Sequence, residues 1–492
     1  MGRSGRAGRE IRICAVAMGL CLVLVMGVLL AGCGSTSTSK GPSGTVATSV
    51  AGSTSSAPEA TGAPPGGSPG APPSRGSGTP GGSDGAAVSP TKARYTQSGG
   101  TKSEVDQTYT ASEDDQSAIL VSDGGSLTVA NAKIETSGNT SSNDSSSFYG
   151  LNAAVVATSG SSISLSGGSI TTTGSGANGA FATGEGSSVG LADVTIEATG
   201  SGGHGVMATQ GGAVTLDNVK ITTAGANSAP LATDRGGGTI TADGGSALAG
   251  GKDSPALYST GVITVTGGTY EATGAEAAVI EGGNSINLTD VALSSSFADK
   301  WGVMIYQSMS GDAAGTKGTF TMQGGSLTYS GASGPLFYVT NSTGVIDLTG
   351  VNIKCASGVL VKAASGDWGT SGSNGGSVFL TANGQTLTGD LVADDLSSLT
   401  LSLTSSSLLA GAINANHSAK EADLTLDSMS TWSVTADSYL SALTLSNAIS
   451  GTSIPNIVGN GHTVYYDSSN SANTVLGGKT YSLAAGGTLK PA

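Results

Sequence analysis

The sequence predicts an all-β protein, a solenoid of stacked coils preceded by a disordered linker. Short segments of similar pattern return about every 25 residues along most of the chain, a period typical of solenoids. Within these segments apolar and polar residues alternate, as they do in strands that bury one side. Glycine accounts for 80 of the 492 residues and charged residues for only 11%. This composition favours a thin, stacked core over a broad globular one.

Residues 1–32 have the pattern of an export signal. Four arginines form a basic head, and the apolar run "ICAVAMGLCLVLVMGVLLAGC" follows. The run ends in Leu30-Ala31-Gly32-Cys33, which resembles the lipobox of bacterial lipoproteins. The resemblance implies that residues 1–32 are removed and that Cys33 is lipidated, so we expect an extracytoplasmic protein anchored to the bacterial cell membrane. The alternative is a plain transmembrane anchor, because the run is nearly long enough to span a bilayer.

Residues 33–95 are predicted to be a disordered tether. The segment consists mainly of Ser, Thr, Gly, Pro and Ala, as in "APPGGSPGAPPSRGSGTPGGSDGAA". It lacks apolar periodicity, so it cannot bury enough surface to offset the entropy of ordering. We expect this tether to carry a folded body away from the membrane.

Charge and cysteine content limit the partners and the chemistry. The chain carries 20 Lys and Arg against 34 Asp and Glu, a formal charge of −14. This acidic balance argues against nucleic acid as a partner, because nucleic-acid binders present basic patches. If Cys14 and Cys21 leave with the signal and Cys33 is lipidated, only Cys355 remains, which excludes an intramolecular disulfide. We interpret Cys355 as a small buried hydrophobe.

Residues 96–388 are predicted to form the main body. Segments such as "SSVGLADVTIEATG" and "GAVTLDNVKITTAG" alternate with "GAFATGEG" and "HGVMATQG". No single coil can bury its apolar side alone, so each strand is expected to pair in parallel with its copy one coil further on. The predicted inward columns are Ile163, Val189, Val214, Val262, Ile286 and Val345, and beside them Leu165, Leu191, Leu216, Val265, Leu288 and Leu348. Coils of roughly 22–26 residues with three short strands resemble right-handed parallel β-helices, the pectate-lyase-like fold.

Residues 389–492 show cleaner alternation and fewer glycines, and they are predicted to be C-terminal coils and a cap. Together with the body, this part resembles uncharacterised, adhesin-like surface β-helix proteins of bacteria. That resemblance is specific for architecture and implies no particular activity.

His204, in "SGGHGVMAT", is a candidate site residue. Polygalacturonases share the pectate-lyase-like fold and carry Asn-Thr-Asp, Asp-Asp, Gly-His-Gly and Arg-Ile-Lys elements in that order. This chain has Gly203-His204-Gly205 but neither an Asn-Thr-Asp element before it nor an Arg-Ile-Lys element. The acidic pair Asp394-Asp395 follows the histidine, whereas in polygalacturonases the pair precedes it. We therefore interpret His204 as a solvent-facing bend residue. The predicted equivalents in other coils are Gly179, Ala229, Pro255, Ala277 and Gly302.

Asp234 and Arg235 are the other candidates, because a pectate lyase needs an acidic calcium cluster and a basic residue on one outer face. Arg235 is the only arginine after residue 95, and we interpret it as a solvated loop charge. Calcium requires six to eight oxygen ligands. The aspartates that recur at one repeat position form a broken series, because other coils have glycine there; they are Asp193, Asp217 and Asp290. We therefore predict no metal and no cofactor.

We expect a surface protein for adhesion or carbohydrate recognition without catalysis, with the membrane as partner through its lipid and a carbohydrate or a host-surface ligand as the second partner. Five aromatic residues are candidates either for stacking on sugar rings or for inward packing: Trp301, Tyr306, Trp368, Tyr465 and Tyr466. The alternatives are a polysaccharide lyase or glycoside hydrolase acting on acidic polysaccharide, and a passive surface stalk.

Overall fold

The computed structural model describes residues 88–446 and 449–492. The predicted signal peptide, Cys33 and most of the predicted tether lie outside the described residues. Inside them the chain is an all-β parallel solenoid of about 16 turns, which confirms the predicted fold class. In this described part of the chain, helix is limited to one short α-helix, Asn143–Tyr149, and one 3-10 helix, Ser471–Leu476.

The strands of the described residues form three sheets that run along the solenoid. Sheet A has twelve parallel strands. Its first strand begins within the last residues of the predicted tether. The strands are Lys92–Ser98, Gln116–Ser122, Val155–Thr158, Ala180–Thr183, Val206–Thr209, Leu231–Asp234, Leu257–Ser259, Ala278–Glu281, Val303–Tyr306, Phe337–Thr340, Val359–Ala363 and Asp390–Ala393.

Sheet B has 22 strands and is the largest of the three. Most coils of the body contribute a strand to its first half and another to its second half. The first half contains Thr101–Val105, Ser126–Thr136, Ser162–Thr172, Ser188–Ala192, Ala213–Asp217, Thr239–Asp243, Val262–Thr266, Ser285–Thr289, Lys317–Gln323, Ser342–Thr349, Gly376–Asn383, Ser398–Thr404, Glu421–Leu426 and Ala442–Leu445. Two of these, Ser126–Thr136 and Ser162–Thr172, continue into the second half, whose other strands are Thr108–Ala111, Thr195–Ala198, Lys220–Thr223, Ser246–Ala249, Thr269–Ala272, Ala292–Ser295, Ser326–Tyr329 and Asn352–Cys355.

Sheet C lies in the C-terminal coils and has eight strands. They are Thr386–Thr388, Leu408–Ala410, Thr431–Ser433, Ser438–Leu440, Ser453–Val458, Thr463–Tyr466, Tyr481–Ala484 and Thr488–Pro491. The last two strands pair antiparallel, whereas the other pairs in this sheet are parallel. Trp432 and Tyr466 point into this part of the core, and both are 0% exposed.

The inward columns of sheet B follow the predicted pattern with two corrections. The column from Leu165 to Leu348 is in register as predicted. In the other column Ile263 and Ile346 point inward and are 0% exposed, while Val262 is 40% exposed. The prediction of Val262 and Val345 was wrong, because successive side chains of a strand alternate between faces. Val262 and Val265 are three residues apart, so they cannot both point inward.

The recurring aspartates between the two halves of sheet B meet a backbone requirement. Asp193, Asn218 and Asp290 have φ values between 51° and 55°, in the left-handed region that favours Gly, Asn and Asp. Asp217 precedes this bend by one residue and pairs with Ala192, so its assignment to the predicted series was wrong. Gly167 and Gly267 occupy the same bend in other coils with φ values of 64° and 66°. The glycines that break the predicted acidic series therefore serve the same purpose as its aspartates.

A second bend, after the second half of sheet B, is built from glycines that touch one another across coils. A Cβ atom added to Gly174, Gly200 or Gly251 would lie 1.8 Å from the carbonyl oxygen of the equivalent glycine one coil earlier, and one added to Gly225 would lie 2.1 Å from it. We call these four residues the glycine column. The coils approach so closely here that no side chain fits between them.

Candidate functional site

The outer face of sheet A differs from the outer face of sheet B. In sheet B buried residues alternate with half-buried or exposed ones, but in six of the twelve strands of sheet A every residue is buried. The outward residues form one continuous column in which apolar side chains predominate: Leu120, Val156, Phe181, Met207, Ala232, Tyr258, Val279, Met304 and Tyr338. All of them except Tyr258 are buried. Two covering segments contact this face: the helix Asn143–Tyr149 contacts the strand Val206–Thr209, and the loop 307–316 bonds to Glu281 through Ser308. Val279, Met304 and Tyr338 also pack with Trp301 and Ala364.

Arg235 ties these two covering segments together. It follows the strand Leu231–Asp234, and its guanidinium lies 3.8 Å from the centre of the Phe148 ring in the helix. Its Nη2 also lies 3.0 Å from Asp312 Oδ1 in the loop. The predicted solvated loop charge is therefore paired on one side with an aromatic ring and on the other with a carboxylate. A cation over a ring at a partly exposed site contributes roughly 0.5–1 kcal/mol.

Asp234 lies beside Arg235 at the end of its strand and is 2% exposed. Its Oδ1 accepts a hydrogen bond from the backbone N–H of Arg235 at 2.8 Å. The fold thus brings Asp234, Arg235 and Asp312 together, although 77 residues separate the last two. The sequence placed the first two side by side and held no local signal for the third.

Glu281 forms a second polar centre on the same face, 2% exposed. Its Oε2 accepts hydrogen bonds from Tyr258 Oη at 2.6 Å and from Tyr306 Oη at 2.8 Å. Its Oε1 accepts from Ser308 Oγ in the loop. Burial, with the nearby Glu281 charge, raises the pKa of Tyr306 well above its ordinary value. Tyr306 therefore remains a hydrogen-bond donor at neutral pH, and Glu281 holds the loop against the sheet.

The five candidate aromatic residues separate into three groups. Trp301 and Tyr306 are 6% and 5% exposed on the outer side of sheet A, where Trp301 stacks on Tyr338 with ring centres 4.3 Å apart. Tyr466 points into the core. Trp368 and Tyr465 are half-buried at the surface.

His204 takes part in the bend that leads into sheet A. Its backbone N–H donates to Asn178 Oδ1 at 2.9 Å, and its Nδ1 accepts from the backbone N–H of Ala229 at 3.0 Å. The imidazole, half-buried, therefore links its coil to the next one. The register aligns His204 with Asn178, Ala229, Pro255, Glu276 and Trp301. The predicted equivalents Gly179, Ala277 and Gly302 are each one residue too late.

A row of aromatic rings on the outer surface of the C-terminal coils was missed by the sequence analysis. His417 stacks on Tyr439 with ring centres 4.2 Å apart, and Tyr439 stacks on Tyr465 at 4.6 Å. Lys490 Nζ lies 5.0 Å from the Tyr465 ring centre. We call these four residues the aromatic ladder. In the sequence these residues are spaced by about one coil, but this spacing can be recognised only after the coils have been aligned with one another.

His417 is exposed, and Tyr439 and Tyr465 are half-buried. Three of the four residues lie on strands of sheet C, where Tyr439 pairs with Tyr465 and Tyr465 with Lys490, whereas His417 lies in a loop between strands. Because the strands fix the backbone of each tyrosine, the rings are held in place before any ligand arrives.

The remaining chemistry of the described residues is limited. Residues 88–446 and 449–492 contain no group of three His, Cys, Asp or Glu side chains placed to hold a metal ion. Within the same ranges no helix is long and apolar enough to cross a membrane. Cys355 is half-buried rather than buried, with its Sγ 3.3 Å from Ser357 Oγ. The chain matches no known family model, no curated protein and no solved structure.

Proposed function

We propose that the protein is a bacterial surface lipoprotein whose solenoid binds carbohydrate through the aromatic ladder. The anchor is the lipid on Cys33, supported by the sequence Leu30-Ala31-Gly32-Cys33 at the end of an apolar run. The predicted tether, which ends where the first strand begins at Lys92, separates this anchor from the solenoid. The coil length and the three-strand pattern support a right-handed, pectate-lyase-like helix as the architecture of the body.

The aromatic ladder carries this proposal. Sugar rings present C–H groups that pack against aromatic rings and hydroxyl groups that bond to polar atoms. The ring faces of Tyr439 and Tyr465 contact neighbouring rings and Lys490, so these tyrosines offer their hydroxyl groups, and the exposed His417 at the end of the stack offers a ring face. The phenol groups of Tyr439 and Tyr465, with the ammonium of Lys490, supply donors and acceptors at one-coil intervals. Their rigid placement reduces the entropy that is lost on binding. A polymer with regularly spaced sugar units can contact several of these groups at once.

The experiment is a glycan array probed with the purified chain. We expect the wild-type chain to bind at least one glycan class, and we expect Tyr439→Ala and Tyr465→Ala to lose this binding. Phe379→Ala is the matched control, because Phe379 is 46% exposed on the outer face of sheet B. Equal binding by all three variants would refute the ladder as the site, and an array without any bound glycan would favour a passive stalk.

The anchor has a separate test. Membrane fractions of cells that express the wild-type chain should contain the protein with a labelled acyl chain attached. Cys33→Ala should lose the label. Labelled Cys33→Ala protein in the membrane fraction would show that the lipid is attached elsewhere.

A polysaccharide lyase or hydrolase is the competing function, and the cluster of Asp234, Arg235 and Asp312 is its observation. A hydrolase needs an acid and a base on opposite sides of the scissile bond, whereas here Asp312 is paired with Arg235 and Asp234 is buried. Incubation with uronic-acid polysaccharides and calcium tests this alternative. Cleavage that disappears in Asp234→Ala or His204→Ala would replace the binding proposal.

A further inference from the structure

Three charged side chains from consecutive coils meet in the bends that lead into sheet A. Lys300 Nζ lies 3.1 Å from Asp253 Oδ1 and 3.7 Å from Glu276 Oε1. Lys300 is 3% exposed and Glu276 1% exposed, while the Asp253 side chain is 14% exposed. We call these three residues the buried triad.

The surroundings of the buried triad are apolar on the side of Lys300. Lys300 Nζ lies 5.9 Å from the centre of the Trp301 ring, and Trp301 in turn stacks on Tyr338. Taking an ammonium and a carboxylate out of water carries a desolvation penalty that often exceeds their attraction. An ion pair held in such a place is therefore a poor explanation for why these residues are there.

Glu276 has the properties of a proton-transfer group. Its Oε1 is buried without a hydrogen-bond partner. Burial raises the pKa of Glu276, and the nearby Lys300 ammonium only partly opposes this effect. A carboxyl group with a raised pKa can hold a proton at a pH where an exposed carboxyl group has lost it, and can pass it to a neighbouring atom.

We propose that Lys300 and Asp253 join through an intramolecular amide bond, with Glu276 transferring the protons. The Lys300 nitrogen attacks Cγ of Asp253, the new C–N bond forms, and one C–O bond of the carboxyl group breaks. The ammonium and the carboxylate together lose one water molecule, so the product is a neutral amide. Glu276 passes two protons in turn from the Lys300 nitrogen to the Asp253 carboxylate: the first leaves the ammonium before attack, the second leaves the nitrogen after it, and the departing oxygen leaves with both as water. Glu276 then has the protonation state in which it started.

The geometry explains why this condensation proceeds here although it is unfavourable between free groups in water. Reacting atoms held about 3–3.5 Å apart behave as if at effective molarities of roughly 10⁵–10⁸ M. Lys300 Nζ lies 3.1 Å from Oδ1, the oxygen bonded to the Cγ atom of Asp253, so the amine lies beside the carbon that it attacks. The buried site also excludes the water that would reverse the reaction.

Lys252 provides an internal comparison. Its Nζ lies 3.8 Å from Asp253 Oδ2, but its side chain is 79% exposed. It is adjacent to the same aspartate without sharing the buried environment of Lys300, so it should not react.

The test is a tryptic digest of the full chain, isolated from cells and analysed by mass spectrometry. Trypsin cuts after Lys252, Lys300 and Lys317 in an unmodified chain, which releases peptides 253–300 and 301–317. A modified Lys300 is not cut, so we expect a single peptide, 253–317, lighter by one water molecule. Further cleavage after glutamate should convert it into a branched peptide that joins Asp253 to Lys300.

Variants distinguish the bond from other losses of water. Lys300→Arg and Glu276→Gln should give the two ordinary peptides at full mass, while Lys252→Arg should keep the linked product. Ordinary peptides at full mass from the wild-type chain would overturn the proposal. Loss of water that persists in Lys300→Arg would do so as well, because it would indicate a cyclic imide at Asp253. An undiminished yield of linked product in Glu276→Gln would exclude the role given to Glu276.

Discussion

The substitution Gly200→Ala tests how closely the coils approach at the glycine column. Gly200 follows the strand Thr195–Ala198, and a Cβ atom added there would lie 1.8 Å from Gly174 O. Carbon atoms pack at about 3.5–4.0 Å in protein interiors. The two coils would therefore have to separate by about 1 Å or more.

This separation acts on hydrogen bonds that join the same two coils. Thr199 N–H donates to Thr172 O at 2.9 Å, immediately before Gly200. Overpacking costs roughly 1–3 kcal/mol, and each weakened backbone hydrogen bond adds about 0.5–1.5 kcal/mol. We therefore expect the free energy of unfolding to fall by about 3 kcal/mol or more. With an unfolding entropy of about 2.1 cal/mol/K per residue over the described residues, this corresponds to a melting temperature lower by roughly 4 °C.

The assay is thermal unfolding followed by far-ultraviolet circular dichroism. Gly190→Ala in the same coil is the matched control, because an added Cβ atom there meets only Ile163 O at 4.0 Å. We expect this control to be neutral or slightly stabilising, since alanine restricts the unfolded chain more than glycine does. Equal melting temperatures for the two variants would refute the close approach.

Three further predictions concern the core, the acid stability and the covering loop. Trp432→Ala should lower the free energy of unfolding by about 3–5 kcal/mol, because Trp432 is the largest fully buried side chain among the described residues. Denaturant titration measures this change, and a decrease of less than about 1 kcal/mol would contradict the prediction. Partial burial raises the pKa of Asp394, but hydrogen bonds from serines, including Ser365, outweigh this effect and lower it below the ordinary value. The ionised carboxylate of Asp394 therefore stabilises the fold fully at neutral pH, and this contribution is lost as the pH falls through the lowered pKa. Asp394→Asn should therefore melt below the wild type at neutral pH and show a smaller further decrease near pH 3, and parallel melting curves across pH would contradict this. Asp312→Ala should speed proteolysis within the loop 307–316. The melting temperature should change little, because Arg235 is 46% exposed and exposed ion pairs contribute about 0–1 kcal/mol. An unchanged cleavage rate would show that the ion pair between Arg235 and Asp312 does not hold the loop.

The fold was predictable because the repeat and the alternation act locally. Every coil repeats the same apolar spacing, so the parallel stacking and the column from Leu165 to Leu348 followed from the sequence. The incorrect assignment of Val262 had a local cause, since Val262 and Ile263 are adjacent and both apolar. Only the parity with Val265 decides between them, and this rule is available from the sequence alone.

The outer surface of sheet A could not be predicted in the same way. Phe148, Arg235 and Asp312 meet because a helix and a loop inserted between different strands fold back over the same sheet. Insertions have no counterpart in neighbouring coils, so the repeat gives no information about where they lie. The pairing of Arg235 with Asp312 depends on this tertiary arrangement.

The buried triad and the aromatic ladder are intermediate cases. Asp253, Glu276 and Lys300 follow one another at 23 and 24 residues, close to the spacings of 21 and 25 residues between the strands that follow them. A search for charged residues near the coil period would have found them. Such a search needs the register to within one residue, and the shifted alignment around His204 shows how easily that precision is lost.

The in-register pairing of the coils also makes the length of the body adjustable. Val206–Thr209 pairs residue for residue with Ala180–Thr183 before it and with Leu231–Asp234 after it. If one complete coil were deleted or duplicated, the strands brought together would still match, and neither neighbour would need a new core. Each such event would change the reach of the molecule by one strand spacing, about 4.8 Å. Gene rearrangements in steps of one coil can therefore lengthen or shorten this protein while leaving both of its ends unchanged.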